Sequence, residues 1–275
     1  MTHTMAYYRD AGKGPPVVCI HSSGSSSSQW RALTDRLKDR FRVLAVDLYG
    51  SGKTSAWAGA RPMSLDDELA LIEPVLQLAG TGFHLVGHSY GGAVALKAAL
   101  RFPDRVRSLA VYEPVLFSLL VADAPTSSAA LEILAVRDDT TRWVGAGDLD
   151  AAAARFVDYW LGAGTWDGTP MSRRAGVAEG MRAVMPEWQA AFGEATPLAA
   201  CAALLAPTLL LTGTKSTDAA RAVTRLLTAT IPDVVVEEID GVGHMAPLMS
   251  PDAVNPLIAR FLDGHASRHR RAAAG

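Results

Sequence analysis

The stretch 87–91, with the sequence Gly-His-Ser-Tyr-Gly, combines residue types that nucleophilic catalysis requires. It places Ser89 between two glycines, which fits a strained turn between a strand and a helix, because side chains at the flanking positions would collide with both elements. The apolar run 83–86 precedes this stretch, and the alanine-rich stretch 92–100 follows it. The order of strand, turn and helix predicts that Ser89 is a nucleophile; a serine that only caps the helix is the alternative.

A nucleophilic serine needs a general base, and His244 is the histidine best placed to be that base. It lies in the glycine-flanked loop 240–247, after the last apolar run, where a loop can carry an imidazole over the carboxyl edge of a sheet. The other histidines lie in terminal segments, at strands or in the serine motif itself: His3, His21, His84, His88, His265 and His269. We therefore predict His244 as the base and interpret His84 as a buried core residue.

The elements that must position these residues are short apolar runs separated by helix-forming stretches. The runs cover residues 17–20, 43–46, 83–86, 106–112, 208–211 and 234–236, and the predicted helices cover 29–39, 65–78, 219–230 and 252–262. Short, continuously apolar strands that alternate with helices are typical of a parallel sheet covered on both faces. The pattern predicts an α/β fold with a doubly wound, mostly parallel sheet.

The alternation is interrupted between residues 114 and 201, where the chain is helical in tendency and lacks strand-like runs. This stretch is predicted to be a helical lid (114–201) inserted into a core formed by residues 1–113 and 202–264. The last residues, 265–275, are predicted to form a flexible basic tail.

Four of the six tryptophans lie in the predicted lid. We expect Trp143, Trp160 and Trp188, together with Met245 beside the predicted base, to line an apolar substrate pocket. The alternative is that these side chains form the lid's own core and its docking surface.

Composition limits the classes of function. A chain of 275 residues with 49% hydrophobic residues can bury one large core, and its net charge of −2 offers no general attraction to nucleic acid or to an anionic membrane. Cys19 and Cys201 lie in apolar and alanine-rich surroundings, which favours buried thiols and a reducing compartment over a disulfide. The sequence has no signal-peptide pattern and no long apolar window, so we expect a soluble cytoplasmic protein. The oligomeric state is not predictable from the sequence.

The serine motif, the histidine loop and two further motifs together resemble the α/β-hydrolase superfamily over about residues 4–264. The first further motif, 21–24 (His-Ser-Ser-Gly), is similar to the family's His-Gly loop. The resemblance implies that the backbone amides of Ser23 and Tyr90 bind the oxyanion that develops on the substrate, with roughly 3 kcal/mol from each donor. Ser22 departs from the family pattern, which usually has glycine there.

The second further motif, 47–54 (Asp-Leu-Tyr-Gly-Ser-Gly-Lys-Thr), resembles the family's Asp-x-x-Gly-x-Gly turn, but its end also imitates a phosphate-binding P-loop. A P-loop needs glycine where Asp47 stands and a helix that begins at Lys53 and Thr54. Residues 57–62 read as a loop, and the next helix is predicted to begin near Ser64. Nucleotide hydrolysis is therefore not expected.

The acid that orients the histidine departs from the common family pattern, because Ser216 stands where the usual aspartate follows the strand before the last. Two acids could replace it. Glu113 follows the strand after the serine motif, where haloalkane-dehalogenase-like members of the superfamily carry their acid, whereas Asp218 lies two residues past the usual position and could instead cap a helix. We favour Glu113, because the longer side chain suits that location and Asp218 has a capping explanation.

The resemblance implies a serine hydrolase that cleaves a small, apolar ester or lactone through an acyl-enzyme, without a metal or an organic cofactor. Hydrolysis of a carbon–carbon bond in a diketone-like compound is the alternative reaction. A serine at position 89 argues against dehalogenase and epoxide-hydrolase chemistry, which uses an aspartate nucleophile in this superfamily. A ligand-binding pseudoenzyme with the same fold is the non-enzymatic alternative, because the usual acid is missing at Ser216.

Overall fold

The computed structural model describes residues 5–272, with side chains as far as Ala266. Seven strands form one sheet: β1 (Tyr8–Ala11), β2 (Pro16–Ile20), β3 (Arg42–Val46), β4 (Phe83–His88), β5 (Val106–Tyr112), β6 (Thr208–Gly213) and β7 (Val234–Ile239). Their order across the sheet is β1-β3-β2-β4-β5-β6-β7, and every pairing is parallel except that of β1 with β3. The predicted mostly parallel sheet is confirmed.

Eleven α-helices accompany the sheet in the described part of the chain: α1 (Arg31–Leu37), α2 (Leu65–Leu78), α3 (Tyr90–Arg101), α4 (Phe117–Asp123), α5 (Ser128–Ala146), α6 (Leu149–Leu161), α7 (Thr165–Gly168), α8 (Met171–Gly193), α9 (Asp218–Thr230), α10 (Ala246–Met249) and α11 (Pro251–Ala272). Buried residues of α2, α3 and α9 belong to one core, and buried residues of α1 and α11 belong to a second core. The sheet is therefore covered on both faces, as a doubly wound fold requires.

The first strand was not predicted from the sequence. It pairs antiparallel with β3 at the edge of the sheet, and its central residues Arg9 and Asp10 are exposed. A short edge strand of this kind carries no continuous apolar run, because only part of its surface faces the core. An ion pair from Arg42 to Asp10, at 2.6 Å, joins the two strands.

Five helices, α4 to α8, and a 3₁₀ helix (Leu198–Ala203) lie between β5 and β6, where the sequence predicts the inserted lid. The last helix differs from the expectation of a flexible tail that begins at residue 265. It continues to Ala272, and Ala266 packs into the core with 2% of its surface exposed. Residues 273–275 of the predicted tail lie outside the described residues.

Within residues 5–272, no helix combines the length and the apolar character that crossing a membrane demands. Cys19 and Cys201 are both free and buried. His84 is fully buried in β4, where its Nδ1 lies 2.7 Å from the Ser108 hydroxyl oxygen, so this histidine is a core residue with a polar partner.

Candidate active site

The turn between β4 and α3 holds Ser89 in a strained conformation, with φ 54° and ψ −119°. A Cβ atom at Gly91 would collide with the backbone carbonyls of Ile20 and His21, and one at Gly87 would lie 2.7 Å from the Cα atom of Gly92. Both glycines are thus required by close backbone packing, as expected from the sequence. The tight turn projects the serine from the carboxyl edge of the sheet.

Three predicted residues form one hydrogen-bonded chain at this edge. The Ser89 Oγ lies 2.9 Å from Nε2 of His244, and Nδ1 of His244 lies 2.6 Å from Oε2 of Glu113. All three residues are buried, with at most 5% of their surface exposed. The arrangement gives the serine a base and gives the base a carboxylate partner, which is the geometry of an activated nucleophile.

Sheet register explains why an acid at the end of β5 reaches the histidine. His88 at the end of β4 is paired with Tyr112 at the end of β5, so Ser89 and Glu113 leave neighbouring strands at the same level. Glu113 adopts a positive φ of 43° there. Positive φ is uncommon for a residue with a side chain and is tolerated where the surroundings determine it.

The Glu113 carboxylate is held by donors from β6 as well as by His244. Its Oε1 accepts hydrogen bonds from the Thr212 hydroxyl at 2.7 Å and from the Gly213 amide at 2.8 Å. Burial acts to raise the pKa of Glu113, but the hydrogen bond and charge of His244 and the Gly213 amide outweigh it and hold the pKa below its ordinary value. Glu113 is therefore ionised at neutral pH, as the partner of a general base should be.

The structure separates the two acids that the sequence left open. Asp218 is exposed in the first turn of α9, and the side chain of Thr217 caps this helix by accepting from the Ala220 amide. Ser216, which stands at the family's usual acid position, carries no charge, and its side chain helps to lower the pKa of Glu113. His244 is therefore paired with Glu113, and Asp218 is not its partner.

The two residues whose amides are expected to bind the oxyanion lie at the serine. Ser23 and Tyr90 both line the small cavity at Ser89, and neither backbone amide donates a hydrogen bond to another described residue. The Ser23 loop is fixed by His21, whose Nδ1 donates to the Ser22 carbonyl at 2.8 Å and whose Nε2 accepts from the Leu48 amide at 3.1 Å. Both amides are thus available to a ligand: that of Ser23 lies on a loop fixed by hydrogen bonds, and that of Tyr90 lies at the first residue of α3.

A buried chain of hydrogen bonds joins this loop to the histidine loop. Oε1 of Gln29 accepts from the amide and the hydroxyl of Ser22, at 3.1 and 2.9 Å, and Nε2 of Gln29 donates to Nδ1 of His88 at 3.2 Å. Nε2 of His88 then donates to the backbone carbonyl of His244 at 2.8 Å. Burial and the neighbouring His244 hold the pKa of His88 well below its ordinary value, so His88 is neutral and keeps this pattern.

Replacing Gln29 by leucine is expected to lower kcat by about 10- to 100-fold, by analogy with the range for residues that orient metal ligands from the outer shell. The substitution removes the link between Ser22 and His88 and leaves the Ser89, His244 and Glu113 side chains intact. Steady-state kinetics would measure the effect, with Gln77→Leu on the exposed face of α2 as the matched control. Equal kcat values for the two variants would contradict the role of this chain.

The cavity at Ser89 is narrow, with a volume of about 10 Å³, and is lined mainly by apolar and aromatic side chains of the inserted helices. Trp160 and Trp188, two of the predicted pocket residues, line it together with Phe117 and Phe156. The Trp160 ring stacks on the His244 ring with a centroid distance of 4.0 Å and an interplanar angle of 28°. The inserted helices therefore cover the histidine as well as the serine.

The other two predicted pocket residues lie elsewhere. Met245 lines a neighbouring cleft that also contains Trp160 and Ser216. Trp143 is not among the residues that line the cavity at Ser89. It lies in the last turns of α5, partly buried, with the Arg142 guanidinium 5.1 Å from its ring centre.

The loop with P-loop character has a structural role. The Asp47 carboxylate accepts hydrogen bonds from the Ser27 amide at 2.6 Å and from the Lys53 amide at 2.9 Å. No helix begins at Lys53 or Thr54, since the next helix along the described chain is α2. The carboxylate occupies the loop amides that a phosphate would need, in agreement with the expectation from the sequence.

Two further carboxyl groups, which sequence reasoning missed, lie buried beside the oxyanion loop. Glu68 on α2 and Glu187 on α8 are both 0% exposed. Burial raises the pKa of Glu68 to about 8, with a further rise from the charge of Glu187, and burial raises the pKa of Glu187 to about 8 against the opposing effect of Ser23. The sequence gives no signal for either group, because their burial depends on how α2 and α8 pack against the rest of the chain.

The raised pKa values give a pH dependence of stability with a definite sign. The folded state keeps a proton on these carboxyls up to about pH 8, whereas the unfolded chain releases it near pH 4.5. The free energy of unfolding therefore decreases as the pH rises from about 4.5 to about 8. Between pH 5.5 and pH 8.5, Tm of the wild type should fall by about 2 °C or more relative to Glu187→Gln. Differential scanning calorimetry would measure it; a Glu179→Gln control on the exposed side of α8 should follow the wild type.

Comparison with known proteins agrees with this geometry. The model of the family described as "Alpha/beta hydrolase family" matches residues 17–257, most of the chain. The chain belongs to the alpha/beta hydrolase family.

Its relatives are hydrolases of several kinds. The chain is 24% identical over 262 residues to (E)-2-((N-methylformamido)methylene)succinate hydrolase of Acinetobacter baylyi, covering 94% of each chain. It is 36% identical over 118 residues, 42% of each chain, to 2-hydroxy-6-oxo-2,4-heptadienoate hydrolase of Pseudomonas putida. A thermophilic esterase from Thermogutta terrifontis has a similar structure, with a TM-score of 0.71, 26% identity, and coverage of 95% of this chain and 94% of that one. The chain is therefore a hydrolase.

Proposed function

We propose that this protein is a serine hydrolase that cleaves a small, apolar carboxylic ester or lactone through an acyl-enzyme. The observation that carries the proposal is the hydrogen-bonded series from Ser89 through His244 to Glu113, with distances of 2.9 and 2.6 Å. The free amides of Ser23 and Tyr90 beside the serine support it, because a tetrahedral intermediate needs donors at that point.

The reaction follows from these groups. Ser89 Oγ attacks the substrate carbonyl carbon while Nε2 of His244 takes the hydroxyl proton, and the ionised Glu113 stabilises the resulting imidazolium. The oxyanion accepts hydrogen bonds from the Ser23 and Tyr90 amides. When the carbon–oxygen bond breaks, the alcohol takes the proton from His244; water then attacks the acyl-enzyme, again with His244 as base, and the acid leaves.

The lining of the cavity favours an apolar substrate, because Phe117, Phe156, Trp160 and Trp188 bound it. Its volume of about 10 Å³ has room for about one water molecule, so a substrate can reach Ser89 only when the inserted helices move. We propose that these helices act as a lid, since Trp160 covers His244 and a substrate must pass them.

A short-chain p-nitrophenyl ester tests the proposal. We expect a burst of p-nitrophenol that approaches the enzyme concentration, followed by slower turnover, because p-nitrophenol leaves in the fast acylation step and the acyl-enzyme accumulates before it hydrolyses. The burst should be absent from Ser89→Ala. A folded wild-type protein that releases no p-nitrophenol from esters, but turns over a dienoic diketone, would instead support the alternative below.

Hydrolysis of a carbon–carbon bond is the second candidate. The likeness to the Pseudomonas putida 2-hydroxy-6-oxo-2,4-heptadienoate hydrolase supports it. The same serine, base and acid could serve either reaction, because the distinction depends on how the substrate is held. A ligand-binding protein is less well supported, since Glu113 supplies the carboxylate that Ser216 lacks. We also propose a cytoplasmic location, which suits the two buried free thiols.

A further inference from the structure

A cleft of about 460 Å³ lies next to the closed cavity at Ser89. We call it the Trp160 cleft; it is lined by residues 159–162 at the end of α6, by residues 215–217 before α9, and by the histidine loop with α10. Trp160 also lines the cavity at Ser89, and it is the one described residue that the two linings share. The Trp160 side chain is therefore the wall between an open cleft and the nucleophile.

The Trp160 cleft lies on the side of the site from which the alcohol leaves. In the proposed mechanism the alcohol oxygen takes its proton from Nε2 of His244, so the alcohol must lie beside this imidazole. Trp160 stacks on the imidazole at 4.0 Å, and the two chain neighbours of His244, Gly243 and Met245, line the cleft. An alcohol bound at His244 therefore extends into the cleft once the Trp160 ring moves aside.

The acyl side of the site is much tighter. The cavity at Ser89 is lined by the oxyanion residues Ser23 and Tyr90 and by buried apolar side chains such as Phe117, so it is where the acyl group of an acyl-enzyme lies. Its volume is about 10 Å³, against about 460 Å³ for the Trp160 cleft. The smaller part of the substrate thus fits the cavity, and the larger part fits the cleft.

The end of α6 is built to let this wall move. Gly162 and Gly164 follow Trp160 closely and have φ values of 108° and 81°, which favour glycine. A Cβ atom at either glycine would meet nothing within 4 Å, so this segment is not closely packed. Such a helix end can absorb the backbone changes of a lid movement without disturbing the sheet that carries Ser89.

The lining of the Trp160 cleft suits a neutral, apolar group. Leu161 and Met249 line it and are 43% and 66% exposed, and large exposed apolar side chains at a concave surface are typical of a binding site. Lys215 is the one charged residue in the described lining. The volume lies within the range of small-molecule sites, roughly 300–1,000 Å³, and accommodates a ring.

We propose that the Trp160 cleft binds the alcohol part of the substrate, with Trp160 as its movable wall, and that the substrate is an ester of a short acid with a cyclic or aromatic alcohol. This inference rests on the proposed hydrolase function and names the substrate class within it. A second cleft, of about 480 Å³, borders Trp188 on the acyl side, and no described residue of the histidine loop lines it. It defines the competing arrangement, in which the acyl part carries the ring.

Benzyl acetate and methyl phenylacetate distinguish the two arrangements, because they are isomers that carry the ring on opposite sides of the ester. We expect wild-type kcat/KM, divided by the rate constant of alkaline hydrolysis, to favour benzyl acetate by about tenfold or more. Trp160→Ala should bring this ratio toward one, because it joins the cavity to the cleft. Trp143→Ala, which removes a tryptophan that lines neither space, should keep the ratio. The ratio does not depend on the folded fraction of a variant.

A thiol introduced at the cleft tests its location. Cys19 and Cys201 are buried, so a bulky maleimide should modify only the residue introduced by Met249→Cys. We expect this modification to lower kcat/KM for benzyl acetate about tenfold or more relative to the unmodified variant. The matched control is Leu248→Cys, at an exposed position of α10 outside the cleft lining, where modification should change kcat/KM less than about twofold.

Equal wild-type rates for the two isomers, or turnover of neither, would overturn the proposal. A preference for methyl phenylacetate would also overturn it and would favour the cleft at Trp188. Full activity of the modified Met249→Cys variant toward benzyl acetate would show that the alcohol does not occupy the Trp160 cleft. Labelling of Ser89 by a fluorophosphonate separates these failures from that of the hydrolase function. Labelled Ser89 with any of these results rejects only the alcohol site, whereas unlabelled Ser89 rejects the hydrolase proposal itself.

Discussion

Replacing Glu113 by glutamine is expected to lower kcat by about 10³- to 10⁴-fold with little change in the fold. Glutamine keeps the size of the side chain but cannot stabilise the His244 imidazolium, and its amide can favour the wrong tautomer of the ring. The hydrogen bonds that Glu113 accepts from Thr212 and Gly213 show how firmly the carboxylate is oriented. Steady-state kinetics with a p-nitrophenyl ester, together with circular dichroism, would measure both parts of the prediction.

The matched control is Asp218→Asn. Asp218 is exposed on α9, and Glu113 occupies the Nδ1 side of His244, so this variant should keep wild-type kcat. A loss of activity in Asp218→Asn, with an active Glu113→Gln, would show that the acid has been misassigned.

Replacing Gly91 by alanine is expected to destabilise the protein by about 3 kcal/mol or more, or to prevent folding. The added Cβ would overlap the backbone carbonyls of Ile20 and His21, which cannot move without displacing β2 and the oxyanion loop. Thermal unfolding of the purified variant, or its loss from the soluble fraction, would measure the effect.

Gly180 offers a control of opposite sign on the inserted helix α8. A Cβ atom there would meet nothing within 4 Å, so Gly180→Ala should stabilise the protein by about 0.5–1 kcal/mol through higher helix propensity. Similar unfolding temperatures for the two variants would contradict the view that Gly91 is required by close packing at the turn.

The parts of the site that depend on local geometry were predictable from the sequence. Ser89 could be identified because a strained turn packed against a strand requires glycine on both sides, and that requirement is visible in five consecutive residues. His244 could be identified because it is the histidine that lies in a glycine-flanked loop after the last strand. The strands of the sheet could also be identified from the sequence, since each strand that is buried on both faces is continuously apolar.

The acid was only partly predictable, because two acidic residues lie near suitable strand ends. Choosing between them needs the order of strands and their register, and these place Glu113 beside Ser89 and leave Asp218 on an exposed helix turn. The edge strand β1 was missed for a related reason, since its exposed residues leave no apolar run.

The sequence was least informative where several elements pack together. Trp143 was predicted to line the pocket from its type and its place in the inserted segment, but it is not among the residues that line the cavity at Ser89. The burial of Gln29 and Glu187 could not be predicted from the sequence, because glutamine and glutamate usually lie at the surface. Their roles can be inferred only when their burial and their neighbours are known. Long-range packing, rather than local pattern, decides the role of such residues.

The central claim is that Ser89 is a nucleophile activated by His244 and Glu113, and covalent labelling tests it most directly. After incubation with a fluorophosphonate, intact-mass and peptide analysis of the wild type should find one adduct, on Ser89. Ser89→Ala should carry none, and Glu113→Gln should react much more slowly. A folded wild-type protein that forms no adduct, or an adduct that persists in Ser89→Ala, would contradict the account.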